Sequence, residues 1–274
     1  MAIEPTDAII VTRMSAGSAE RLARAPSEAG RVHSVFDRAV NLAWHDGRLL
    51  TLQQTGPLVA PFAVALDRLP RSAAVRAGTP VRRRGDTLTL GDFTCDCRGA
   101  TVANTAMPEG RRGADPDLVD RVAGTAECAP ALRSVRAQEA RACLAEGLRT
   151  GDAIAFADGA LGLVGLGEGL TPAGDDFLVG ALAVVHRFAP SWLRKHPAVA
   201  AAIDAHAAGA TTTVAREFVS HALAGHFAES LIELMTAESL EAVERAAARL
   251  LDMGATSGAD ALTGVRAAIQ AWPR

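Results

Sequence analysis

Gly165-Leu166-Gly167-Glu168-Gly169-Leu170-Thr171-Pro172-Ala173-Gly174-Asp175-Asp176 runs into Phe177-Leu178-Val179-Gly180-Ala181-Leu182-Ala183-Val184-Val185-His186-Arg187-Phe188. The first part is a glycine-rich loop. The second is nearly all apolar and predicts a buried helix from Asp176 to Phe188. Thr171 suits the N-cap of that helix and Pro172 its first residue, because a threonine hydroxyl satisfies free N–H groups and proline has a helical φ built in. Glycines such as Gly167, Gly169 and Gly174 let backbone approach a ligand closely. The helix start adds unpaired N–H groups and partial positive charge, a site for phosphate or carboxylate. There is no Gly-Lys-Ser/Thr ending and no strand–helix–strand context, so the motif is neither a phosphate loop of the Walker type nor a dinucleotide fingerprint.

On both sides of this stretch, from Asp117 onward, the pattern is helical. Leu132, Val135, Leu144 and Leu148 recur between Arg and Glu residues, and Gly147 and Gly151 are expected to end that helix. Further helices are expected over 197–208, 213–226, 231–235, 240–251 and 259–272. Residues 103–116 are rich in Gly, Pro and Arg and read as a linker. From Val32 to about Thr101 the signals are for strands. Asp46-Gly47 between two apolar runs marks a tight hairpin, and Arg84-Gly85-Asp86 marks a second before the alternating Thr87-Leu88-Thr89-Leu90. The Arg-Gly-Asp tripeptide is a turn rather than an adhesion signal. The expected class is α+β: a β-rich part over 1–116, built of hairpins in a sandwich or barrel-like arrangement, then a helical part over 117–274.

Composition supports an ordinary globular protein: 274 residues, 49% hydrophobic and 22% charged. A net charge of −3 and a pI of about 6.2 exclude the basic footprint of a nucleic-acid binder. Arg82-Arg83-Arg84 and Arg111-Arg112 read as solvated surface. No apolar run of transmembrane length occurs, and residues 1–20 lack a signal core, so a cytoplasmic location without membrane contact is expected. Cys95, Cys97, Cys128 and Cys143 form no C-x-x-C pair and read as reduced thiols, although Cys95 and Cys97 share a strand face.

The candidate chemistry lies in the helical part. Asp175 and Asp176 could bind magnesium, act as a general base or hydrogen-bond a polar substrate. Gly254-Ala255-Thr256-Ser257-Gly258-Ala259-Asp260-Ala261-Leu262-Thr263-Gly264 echoes the first motif. With Asp260 aligned on Asp176, both read Asp-x-Leu-x-Gly. Acid and glycine then share one helix face, and the glycine lets a second helix come close. Two helix starts are therefore expected to converge, with Asp175, Asp176 and Asp260 as catalytic candidates. Gly167, Gly169, Thr171, Gly174, Thr212, Ser257 and Gly258 are the candidates for holding substrate or anion. Thr211-Thr212-Thr213 precedes a helix and offers further hydroxyls. His221 and His226, five apart, do not share a helical face and read as structural or surface residues.

These motifs resemble a bacterial family that includes the AllH-type subunit of oxamate carbamoyltransferase. Gly165 to Asp176 is similar to its Gly-Leu-Gly-x-Gly-Leu-Thr-Pro-Ser-Gly-Asp-Asp pattern, with Ala173 in place of serine. Gly254 to Asp260 is similar to its Gly-His-x-Ser-Gly-x-Asp pattern, with Ala255 in place of histidine. The threonine segment and His33-Ser34-Val35-Phe36 are also similar. The resemblance implies a role in ureide catabolism, in allantoin and purine degradation. The reaction would move a carbamoyl group between an oxalurate-like ureide and phosphate, in a hetero-oligomer with partners similar to acyl-CoA synthetases. Two other readings stand beside it: a non-catalytic metabolite-binding or structural subunit, and a stand-alone magnesium-dependent hydrolase.

Overall fold

The computed structural model describes residues 8–56, 59–70, 75–109, 115–124 and 126–273. The chain forms two compact units, Met1–Thr105 and Ala106–Arg274.

The first unit is a closed barrel. Its elements are β1 (Ile9–Ser15), α1 (Ala16–Arg24), β2 (Glu28–Val35), β3 (Ala39–Trp44), β4 (Leu49–Gln54), β5 (Ala63–Leu66), β6 (Pro80–Arg84), β7 (Thr87–Leu90), β8 (Phe93–Asp96) and β9 (Thr101–Ala103). Neighbouring strands run β5-β4-β3-β2-β6-β7-β8-β1, and β1 pairs back onto β5 to close a ring of eight. Most pairs are antiparallel, but β1–β8 and β4–β5 are parallel. β9 lies parallel to β1 beyond the point where β8 leaves it. Closure removes the open edges of the sheet, and an eight-strand ring is narrow enough for side chains to fill. Val11, Val32, Leu42, Leu52, Val64, Val81 and Leu88 do so.

Both expected hairpins are present. Gly47 (φ 80°) turns β3 into β4, with Trp44 and Arg48 closing the turn, and Gly85 (φ 58°) turns β6 into β7. Strands begin at Ile9, earlier than the expected Val32. β1 has partners on three strands and is buried along most of its length, so it lacks the period-two alternation that marks a half-buried strand. Arg82 and Arg84 are exposed on β6, while Arg111-Arg112 lies outside the described residues. Cys95 and Cys97 carry free thiols, and burial pushes them up to about 12 and about 11, so neither is a thiolate.

The second unit is helical: α2 (Pro116–Ala123), a 3-10 turn (Pro130–Arg133), α3 (Val135–Thr150), α4 (Ala153–Leu163), α5 (Ala173–Phe188), α6 (Trp192–Lys195), α7 (Pro197–Ala210), α8 (Thr213–Leu223), α9 (Glu229–Thr236), α10 (Leu240–Leu251) and α11 (Ser257–Ala271). The apolar run after the glycine loop becomes α5, which is buried along almost its whole length. Gly147 does not end a helix. It lies inside α3, where a Cβ would strike the backbone of Phe156, so it is a point of close packing between α3 and α4. Gly151 ends α3 in the left-handed conformation (φ 76°), and Asp152 caps α4 by accepting from Ile154 and Ala155. No helix among the described residues is long and apolar enough to cross a membrane.

Candidate functional site

The two Gly/Asp motifs fold the same way. In the first, the Gly174 N–H donates to Leu166 O just past the end of α4, and a Cβ on Gly174 would strike Leu163 O. In the second, the Gly258 N–H donates to Met253 O just past the end of α10, and a Cβ on Gly258 would strike Leu250 O. Each glycine therefore seats its helix against the end of the helix before it. The two helices then cross through their later glycines. A Cβ on Gly180 would strike Ala261 O, and one on Gly264 would strike Phe177 O. Phe177 follows Asp176 as Ala261 follows Asp260, so the contact is reciprocal.

This crossing brings the acids to equivalent places, each the fourth residue of its helix. The Asp176 N–H donates to Pro172 O and the Asp260 N–H to Thr256 O. Both side chains are buried, 8% and 0% exposed. Asp260 Oδ1 accepts the Ala129 N–H at 2.7 Å, yet Oδ2 of Asp260 and Oδ2 of Asp176 are buried without a hydrogen-bond partner. Burial pushes the Asp176 carboxyl up to about 8. The hydroxyls of Ser257 and Thr171 oppose that rise, and the charge of Asp260 adds to it. Burial likewise raises Asp260 above its ordinary value.

Thr171 does not cap α5. The helix begins one residue later than expected, with Pro172 in the cap position and no side-chain cap. The Leu166 carbonyl already takes the Gly174 N–H, and the Thr171 hydroxyl instead pairs with Ser257 at 2.7 Å. Asp175 points another way. Its oxygens accept from the Gly165 N–H at 3.2 Å and the Thr211 hydroxyl at 2.6 Å. Burial pushes it up to about 6 against those two bonds. Thr212 caps α8 by accepting from Ala215 and donates to Leu170 O. The threonine run thus fastens the glycine loop to the start of α8. Gly167 (φ 121°) lies against Ala173, whereas Gly169 (φ 94°) has open space around it.

The starts of α5, α8 and α11 are thereby joined by hydrogen bonds around the loop. The candidate site comprises Asp176, Asp260, Thr171 and Ser257, with the Gly167–Leu170 loop leading into Thr171. The Ala129 donor escaped the sequence reading because a backbone N–H leaves no mark in residue type. His226 lies past the end of α8, and its ring meets that of His221 at 6.3 Å. Among the described residues no three His, Cys, Asp or Glu side chains are grouped so as to hold a metal ion.

A family model described as oxamate carbamoyltransferase subunit AllH matches residues 163–269, and one described as the AllH family N-terminal domain matches residues 10–102. The chain belongs to the AllH family. The first AllH match opens at the last residue of α4 and runs through both Gly/Asp motifs; the second spans the barrel. No curated protein and no solved structure matches the chain. Relative to the AllH pattern, Ala173 is the buried first residue of α5 and Ala255 lies exposed in the loop before α11.

Proposed function

We propose that this AllH-family chain is a subunit of a carbamoyltransferase complex acting on an oxalurate-like ureide and phosphate, and that its α5–α11 site holds the ureide. The observation that carries this reading is the pair of buried carboxylate oxygens left without donors. A buried polar atom calls for a partner: Asp260 Oδ2 calls for a donor and the protonated Asp176 carboxyl for an acceptor, and a ureide offers both N–H groups and carbonyl oxygens. The charges of Asp260 and Asp175 beside Asp176 make the site negative, so the pair favours an N–H donor over an anion. An anion is met instead by the loop at Gly169 and by the hydroxyls of Thr171 and Ser257.

In the transfer, a phosphate oxygen bonds to the carbamoyl carbon and the carbon–nitrogen bond to the oxamate nitrogen breaks. Phosphate gives up one proton and the departing nitrogen gains one, so charge and atoms balance. Asp176, pushed up to about 8 by burial and so largely protonated near neutrality, supplies that proton. Asp260, fixed by Ala129, orients the N–H groups. Asp175 and Thr211 keep the loop in place. The complex contains partners of the acyl-CoA-synthetase type, which contribute the remaining groups.

The test is an assay of carbamoyl phosphate formation from ureide and phosphate, with the chain alone and with its candidate partner subunits. Activity is expected only in the complex. Asp176→Asn and Asp260→Asn are each expected to lower it by about 10²–10⁴-fold, the usual loss for a general acid or base. Full activity in both variants would remove the acid pair from the reaction.

A further inference from the structure

One strand of the barrel carries an irregularity at His33-Ser34. β2 pairs with β3 as Val32↔Leu42 and then as Ser34↔Asn41, so His33 is an extra residue inserted between the two pairs. Side chains normally alternate across a strand, which sends adjacent residues to opposite faces. Here the bulge brings two neighbours together, and His33 Nδ1 stands 3.0 Å from Ser34 Oγ. Bulges re-aim side chains in this way and are over-represented beside active sites. Two further residues hold the serine. Its cross-strand partner Asn41 is buried and donates from Nδ2 to Ser34 Oγ at 3.2 Å. Asn41 in turn faces Thr51 of β4, whose hydroxyl donates to Asn41 Oδ1 at 2.7 Å. Three neighbouring strands thus carry one chain of hydrogen bonds, from buried Thr51 out to exposed His33. Thr51 fixes which end of the Asn41 amide faces Ser34. The serine oxygen accepts there and keeps its own hydrogen for His33 Nδ1, in the ring tautomer that carries its proton on Nε2. A hydroxyl bonded to an imidazole and oriented by a third group is the arrangement of an activated nucleophile. His33 is exposed and Ser34 half-buried, so a reactant can reach the pair.

We propose that Ser34 and His33 are a nucleophile–base pair, and that the barrel takes an acyl group from a neutral ester onto Ser34 and passes it to water. Ser34 Oγ bonds to the acyl carbon and the ester carbon–oxygen bond breaks. The proton that Ser34 gives to His33 leaves with the departing alcohol. Water then attacks the acyl carbon and gives one proton to His33, which returns it to Ser34 Oγ as the acid departs. Ester and water are consumed, acid and alcohol are released, and both residues end as they began. Asn41 and Thr51 act as positioning residues. Val35 and Phe36, next along the chain, expose apolar side chains against which an apolar group of the ester can lie. The proposal draws on none of the α5–α11 acids and stands without the ureide reading.

The probe is p-nitrophenyl acetate. The full chain is treated with it, quenched in acid at intervals and digested, and the acetyl group is located by peptide mass spectrometry. Release of p-nitrophenolate is followed by absorbance. Acetyl is expected on Ser34 faster by about 10²-fold or more than on Ser27, an exposed serine of the same unit. Release is expected to continue past one equivalent. His33→Gln is expected to slow acetylation of Ser34 by a similar factor, and Ser34→Ala to abolish the turnover that exceeds a lone exposed imidazole. Circular dichroism checks that both variants keep the fold, and the comparison of Ser34 with Ser27 in the native chain needs no variant. Acetylation of Ser34 no faster than of Ser27 overturns the proposal. So does a native rate of acetylation in His33→Gln, or native turnover in Ser34→Ala.

Discussion

Asp175 and Asp176 are adjacent, yet the helix turns their side chains to different neighbours. Asp175 is consumed by the loop, and its removal would leave the Gly165 N–H and the Thr211 hydroxyl without their acceptor. Asp175→Ala should therefore cost about 1–3 kcal/mol, the range for stranded buried donors, read as a lower denaturation midpoint. Asp176 behaves oppositely. Its folded-state carboxyl titrates at about 8 against an ordinary 3.8, so folding favours the protonated form. That contribution is complete below 3.8 and is lost as pH rises through the folded value. Asp176→Asn cannot ionise and should be more stable than the native chain above pH 8. The advantage should shrink toward pH 4, roughly the ordinary carboxylate value. Thermal melts at several pH values decide the matter, and an unchanged difference across that window would contradict the assignment. A substrate N–H between the acids would offset this cost of burying charge, so a stable but inactive variant is the signature of a functional acid.

At the scale of elements, α5 and α11 depend on the two glycines at their crossing. A methyl at Gly180 or Gly264 would run into the carbonyl of the opposite helix, which cannot turn aside as a side chain can. Gly180→Ala and Gly264→Ala should each destabilise by about 1–3 kcal/mol, the usual cost of overpacking, although alanine has the higher helix propensity. Equilibrium unfolding measures this, and a stabilised variant would show that the helices can move apart freely. This crossing was legible because Asp-x-Leu-x-Gly recurs, and the hairpins were legible because Asp46-Gly47 and Gly85-Asp86 supply positive φ locally. The Thr171 cap was misread because the competing partner, Ser257, lies 86 positions away. Gly147 was misread because a glycine inside a helix and one after it look alike until the packing partner, Phe156, is known. Barrel closure was likewise beyond local pattern. It rests on β1 pairing with β5 across a register shift between Val11 and Arg13.

At the scale of the molecule, each unit has its own apolar core. The barrel core draws on residues from Ile9 to Cys95, and the helical core on residues from Met107 to Ile269. The units divide after Thr105, and the helical unit takes over at once, since the Met107 N–H donates to Gly225 O and the buried Arg187 donates to Pro108 O at 2.8 Å. Both lengths fall within the usual range of independently folding domains. Fragments 1–105 and 106–274 should therefore fold separately, giving a β-type and a helical circular dichroism spectrum, each with a cooperative melt. The acids and the groups bonded to them, from Ala129 through Thr171 and Thr211 to Ser257, belong to the second fragment. That fragment should bind the ureide with nearly the affinity of the full chain, as calorimetry would show. A folded helical fragment that has lost the ligand would mean that the barrel contributes to the site, and a fragment that melts without cooperativity would mean that the cores are not autonomous.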